Sequence, residues 1–167
     1  MENRRDSGRK AHGMRFANDG MQGDQMTPEQ AHIVQSTWRS VLPVGGTFAE
    51  LFYGRLFALD PELKKLFRDD IVEQGRNLTA MLSVAAANIG KAERITVALR
   101  HLGRRHVAYG VKPKDFANFE DALLFALEHA LIDVFTPEVK AAWQAAYALV
   151  SGTMLEAFTP SATPAGS

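Results

Sequence analysis

The sequence predicts an all-α fold. Three observations carry that expectation: two helix starts are written almost identically, apolar residues recur at intervals of three and four rather than two, and the short β-branched runs show no alternation. The starts are Thr27-Pro28-Glu29-Gln30 and Thr136-Pro137-Glu138, each with a capping hydroxyl, proline at the first helical position and an acid in the first turn. In the first of them Gln30 also completes a capping box.

From Pro28 the first helix is expected to run to a closure at Gly45-Gly46. Phe48, Leu51, Phe52, Leu56 and Leu59 carry a second helix up to Asp60-Pro61, where a short helical turn begins. A third is expected from about Asp70 to Ile89, with Leu78, Met81, Leu82, Ala85 and Ile89 on one face and Gln74 one turn before Leu78. After Gly90 the stripe is Ile95, Leu99, Leu102 and His106, which puts an imidazole on the core-facing side of the next helix. Gly110 and Pro113 interrupt the pattern before a helix with Phe116, Phe119, Leu123, Leu127 and Leu131. Val139, Trp143, Ala146, Val150 and Met154 mark the last one. Short connections and glycine-poor interiors leave a compact bundle with an internal pocket.

At 167 residues and 46% hydrophobic content the chain suits one domain with a substantial core. Nineteen basic residues balance nineteen acidic ones, so no bulk field points to nucleic acid or to an anionic membrane. The absence of cysteine excludes disulfides, iron–sulfur clusters and thiolate ligation, and agrees with an expected cytoplasmic location. No apolar stretch is long enough for a membrane span, and the basic N-terminus is followed by no apolar run of a signal peptide. Composition sets residues 1–26 apart as a flexible arm and 160–167 as a disordered tail, leaving 27–159 as the folded domain. No paired carboxylates at catalytic spacing, phosphate loop or nucleophile triad is present, which removes hydrolase readings.

An imidazole on an apolar stripe is, in an arbitrary helical protein, usually a satisfied core residue. Here its surroundings match a family. The segment LFYGRLFALDPELKKLF resembles the second and third helices of globins, with Pro61 followed six residues later by Phe67, the phenylalanine that packs on the haem. HLGRRHVAYGVKPKDF resembles the proximal helix and its exit in bacterial haemoglobins and neuroglobin-like chains, and FTPEVKAAWQAAYALV resembles the start of the last globin helix. The resemblance covers nearly all of Thr27–Phe158 and implies a globin fold, a helical sandwich enclosing a haem pocket.

What the resemblance implies about the site follows residue by residue. His106 is the iron ligand of a haem b (iron protoporphyrin IX), giving five-coordinate iron with an open sixth position for a diatomic gas, O2, NO or CO. Tyr53 and Gln74 are the donors to the gas, with Asn77 the alternative to Gln74 should the short interval from Phe67 shift the register. Phe67, Leu78, Leu102, Val111 and Phe116 line the haem. Ala49, one turn before Tyr53, and Gly75, next to Gln74, are small enough to let their helices cross closely. Phe116 and Phe158 stand where many flavohaemoglobin-type chains carry a tyrosine and a glutamate that strengthen the proximal histidine. His32, His101 and His129 read as surface residues, while His12, Met14, Met21 and Met26 are remote candidates for a second iron ligand. The pairs Arg104-Arg105 and Lys64-Lys65 read as solvated faces, with one arginine left as a partner for a haem propionate.

Two functions are compatible with such a site. The first is nitric oxide dioxygenation, in which Tyr53 and Gln74 act catalytically and, the sequence stopping at Ser167 without a flavin domain, a separate reductase supplies the electron. The second is non-catalytic oxygen storage, transport or gas sensing. A helical module without haem is the third and blandest reading. Monomer and homodimer are both left open.

Overall fold

The computed structural model describes residues 26–67 and 70–159, and nearly all of them are helical. The expected arm, apart from Met26, and the expected tail lie outside the described residues, as do His12, Met14 and Met21. Six α-helices follow one another: α1 (Pro28–Val41), α2 (Gly45–Leu59), α3 (Ile71–Asn88), α4 (Ala92–Tyr109), α5 (Asp115–Leu131) and α6 (Pro137–Leu155). Short 3-10 turns join several of them, and no strand occurs among the described residues.

The two proline-led starts form as expected. Thr27 Oγ1 accepts from the Gln30 amide at 3.1 Å, and Gln30 Oε1 accepts from the Thr27 amide at 3.1 Å, closing the capping box reciprocally. Thr136 caps α6 by accepting from the Val139 amide. The Gly45-Gly46 pair behaves differently from the expectation. The first helix ends at Val41, Leu42–Val44 make a 3-10 turn, and the glycines open α2 instead of closing α1. A Cβ on Gly45 would lie in ordinary contact with the Thr79 methyl at 3.5 Å and one on Gly46 would meet nothing within 4 Å, so no close approach demands glycine at either position.

Two apolar clusters hold the helices. The larger joins α1, α2, α3, α5 and α6 around Val34, Val41, Phe48, Leu56 and Leu127, all essentially inaccessible to water. Two indoles tie α1 into it: Trp38 Nε1 donates to Ser83 Oγ of α3 at 2.9 Å, and Trp143 Nε1 of α6 donates to Thr37 Oγ1 at 3.0 Å. Met26 packs against this cluster and so belongs to the folded unit. The smaller cluster, Ile95, Leu99, Val111, Phe116 and Met154, holds α4 to α5 and α6. Leu66, Phe119, Tyr147 and Val150 touch both.

α3 is anchored in the large cluster and α4 in the small one. α4 is held from behind with little tolerance: a Cβ on Gly103 would collide with the Met154 carbonyl oxygen and lie 3.0 Å from its Cα. Gly103→Val should therefore push α4 away from α6 and cost about 1–3 kcal/mol, read as a lowered denaturant midpoint at unchanged m-value.

Candidate functional site

Tyr53 sits in the middle of α2, a helix whose buried residues Phe48, Ala49, Phe52, Tyr53 and Leu56 face α3 and α5. Its ring meets Phe52 edge-on at 5.1 Å, Phe67 edge-on at 5.3 Å and Phe57 at 5.9 Å. The hydroxyl is not at the surface: it donates to the Gln74 main-chain carbonyl at 3.3 Å. Burial pushes the phenol up to about 12, so it stays a neutral donor at any physiological pH.

Gln74 comes to that place because α2 and α3 touch almost backbone to backbone. A Cβ on Gly75 would lie 2.9 Å from the Ala49 Cβ, closer than two such atoms can come, so glycine is the residue that lets this crossing close. Asp70 caps α3 by accepting from the Val72 amide at 3.0 Å, which sets Gln74 in the first turn. Gln74 is half-buried and Asn77 exposed, so of the two alternatives Gln74 lies on the sheltered side. Leu78 follows one turn on, half-buried against the large cluster.

Phe67 ends the 3-10 turn Pro61–Leu66 in extended backbone, and its ring also meets Phe57 at 5.5 Å. Phe57 closes a triangle of rings with Tyr53 and Phe67, and the sequence reading did not single it out. Its position four residues after Tyr53 on the same helix was the available signal.

On α4, Ile95 and Leu99 are buried, whereas Leu102 and His106 are half-buried at the open end of the stripe. His106 Nδ1 lies 2.8 Å from the Leu102 carbonyl oxygen. A carbonyl can only accept, so Nδ1 carries the proton and Nε2 keeps its lone pair. Desolvation pulls the imidazole below its ordinary value, outweighing the Leu102 bond, and keeps it neutral near pH 7. Gly110, at φ 91°, ends the helix in the left-handed conformation one turn after His106. Val111 and Phe116 are buried in the small cluster. Phe116 meets Phe158 edge-on at 5.5 Å, and its carbonyl accepts from the Tyr147 hydroxyl at 2.6 Å. Tyr147 was also missed, although it lies four residues after Trp143 on the core stripe of α6.

The remaining candidates fall where a surface reading put them. His32, His101 and His129 are exposed; His129 Nδ1 bonds the Phe125 carbonyl and His101 takes a bond from Arg104 at 2.7 Å. Arg105, Lys64 and Lys65 are exposed as well.

Residues 50–154, well over half of the chain, match the profile of the globin family. The chain belongs to the globin family. The flavohemoprotein of Deinococcus radiodurans is 32% identical over 133 residues, which cover 78% of this chain and 33% of that protein. The flavohemoprotein of Bacillus subtilis is 29% identical over 126 residues, covering 74% and 32%. Neuroglobin of Tetraodon nigroviridis is 25% identical over 145 residues, covering 78% of this chain and 91% of that protein. This globin thus spans about a third of the length of the flavohemoproteins it matches and nearly the whole of the neuroglobin.

Family membership implies haem binding, and the donor set fits that group. Among the described residues no cluster of three or more His, Asp or Glu side chains could hold a bare metal ion. One neutral imidazole with a free Nε2 suits an iron that brings its own four equatorial nitrogens. Also among the described residues, no helix is long and apolar enough to cross a membrane. His106→Ala should abolish stable haem retention while leaving the helical circular dichroism of the haem-free protein unchanged. A variant that kept an unaltered Soret band after gel filtration would move the ligand elsewhere.

Proposed function

We propose that this globin holds haem b through His106 and works on diatomic gases on the other face of the ring, with nitric oxide dioxygenation as its chemistry. When bound, haem b supplies a redox-active iron with one open face, at which nitric oxide, dioxygen and one electron give nitrate. The observation that carries the reading is the meeting of Tyr53 and Gln74 across the α2–α3 crossing. It brings the Tyr53 hydroxyl to the main chain of α3 at Gln74, a sheltered spot where a donor directed at developing negative charge is worth more than in water. Phe67, Leu78, Leu102, Val111 and Phe116 provide the apolar surroundings that exclude water and grip the macrocycle.

In this reading His106 donates from Nε2 and is oriented by the Leu102 carbonyl through Nδ1. Tyr53 stays protonated and gives its hydrogen bond to the incoming gas in exchange for the Gln74 carbonyl. The electron comes from a reductase. The relatives named flavohemoprotein support a haem-binding reading for the third of their length that the match covers.

A second reading, reversible oxygen storage, transport or sensing, is favoured by the proximal side. Phe116 and Phe158, where some relatives of this type would carry polar partners, meet each other edge-on, and the partner of His106 Nδ1 is a neutral carbonyl, not a carboxylate. A carbonyl raises the donor strength of the imidazole less than a carboxylate does.

The deciding experiment is the visible spectrum of the reduced, oxygenated protein before and after stoichiometric nitric oxide. Prompt conversion to ferric haem with release of nitrate supports dioxygenation, and an oxygen complex that survives the addition leaves storage or sensing. Tyr53→Phe should speed oxygen release about ten- to a hundredfold, the equivalent of roughly 1.5–3 kcal/mol for one lost buried donor. An unchanged rate removes Tyr53 from the gas site.

A further inference from the structure

The charge of the chain sums to zero, yet it is unevenly laid out. Residues 91–114 hold seven of the 19 basic residues and a single one of the 19 acidic ones, Glu93. Most of that stretch is α4. The side of α4 turned away from the core carries Arg94, Val97, His101, Arg104 and Arg105, all exposed and spaced so that they form one continuous stripe. Arg104 donates to His101 Nδ1 at 2.7 Å, and Arg100, at the edge of the stripe, is matched by Glu156 at 2.8 Å. Among the described residues Arg94 and Arg105 have no ion-pair partner. A helix face that only meets water ordinarily mixes signs four residues apart. α4 instead sets Arg100 before Arg104 at that spacing, a like-charge pair that weakens the helix.

We infer that this stripe is the docking surface for an acidic one-electron donor protein. Dioxygenation needs one electron for each nitrate formed, and the purpose of this contact rests on that reading. The position, size and charge of the stripe select the occupant. Arg105 adjoins His106 on the same helix, so a protein seated on the stripe lies about one helix diameter, ~10 Å, from the imidazole. Arg94 to Arg105 spans about 16 Å of helix, which suits the small, weak interfaces of electron-transfer encounters. In such encounters opposite charge steers association more than it adds affinity. The apolar face of α4 is already occupied, with Ile95 and Leu99 in the small cluster, so none is left to enter a lipid surface. In the transfer the donor's reduced iron–sulfur or flavin group loses one electron and the ferric haem held by His106 gains it; no bond forms or breaks.

A plant-type ferredoxin, a small acidic one-electron protein, serves as the probe against the haem-loaded globin. Oxidised ferredoxin should shift the amide resonances of α4 at low salt, and the shifts should fade as salt rises. Reduced ferredoxin should reduce the ferric globin at a rate that falls with ionic strength. Arg94→Glu combined with Arg104→Glu should remove the α4 shifts and lower that rate at least tenfold at low salt, with the Soret band unchanged. Arg105 is left in place because it adjoins the iron ligand. Arg39→Glu combined with Lys140→Glu makes the same change of net charge on α1 and α6, and should keep the rate within twofold and the shifts in place. The milder Arg94→Gln with Arg104→Gln should fall between and serves if the charge reversal fails to fold. Equal losses in the two reversed proteins, or none in either, overturn the docking surface. So does an α4 reversal that abolishes binding to phosphatidylserine vesicles and leaves the ferredoxin rate untouched. If the oxygenated globin survives nitric oxide while the α4 reversal still slows ferredoxin, the surface stands and the dioxygenation reading falls. Nitrate formation with ferredoxin rates indifferent to the charge of α4 keeps that reading and overturns the surface.

Discussion

The contact on which the site depends is the crossing of α2 and α3 at Ala49 and Gly75. Two helices with ordinary side chains at their crossing keep their axes some 8–10 Å apart. A glycine facing an alanine removes the spacer, and the gain is positional. At that reduced separation a phenol from α2 can reach the main chain of α3, and the Tyr53 hydroxyl finds the Gln74 carbonyl. A larger residue at 75 would carry Gln74 away from Tyr53 although both side chains were still present.

The complementary constraint lies on the other side. α4 is fixed by its own small cluster and by the contact of Gly103 with the Met154 backbone, while α3 is fixed in the large cluster. Each helix is therefore held by what lies behind it.

The electrostatics of the site are set by neutral groups. Burial keeps both Tyr53 and Tyr147 protonated and His106 uncharged. Each has its polar atom matched to a main-chain carbonyl, of Gln74, Phe116 and Leu102 respectively. Carbonyls of helical segments are rigid acceptors, so they orient these side chains without adding a formal charge that would need its own compensation in a low-dielectric interior. The three carbonyl bonds thus orient Tyr53, Tyr147 and His106 by the same device.

By itself the sequence determined the all-α class, the two proline-led helix starts, the stripe that carries His106 and the closeness allowed by Ala49 and Gly75, because each is written in local residue pattern: caps, a period of three to four, and the absence of a side chain. It was misleading at Gly45-Gly46, where glycine was taken as a stop although both residues open α2. Only the tertiary structure decided what reaches across elements. The sheltering of Gln74 over Asn77, the Tyr53 bond to a main-chain carbonyl, the ring triangle that includes Phe57 and the Tyr147 tie to Phe116 all depend on how far apart two helices lie and at what angle. Those quantities are set by the sum of packing over the whole core, which no single stretch of sequence encodes.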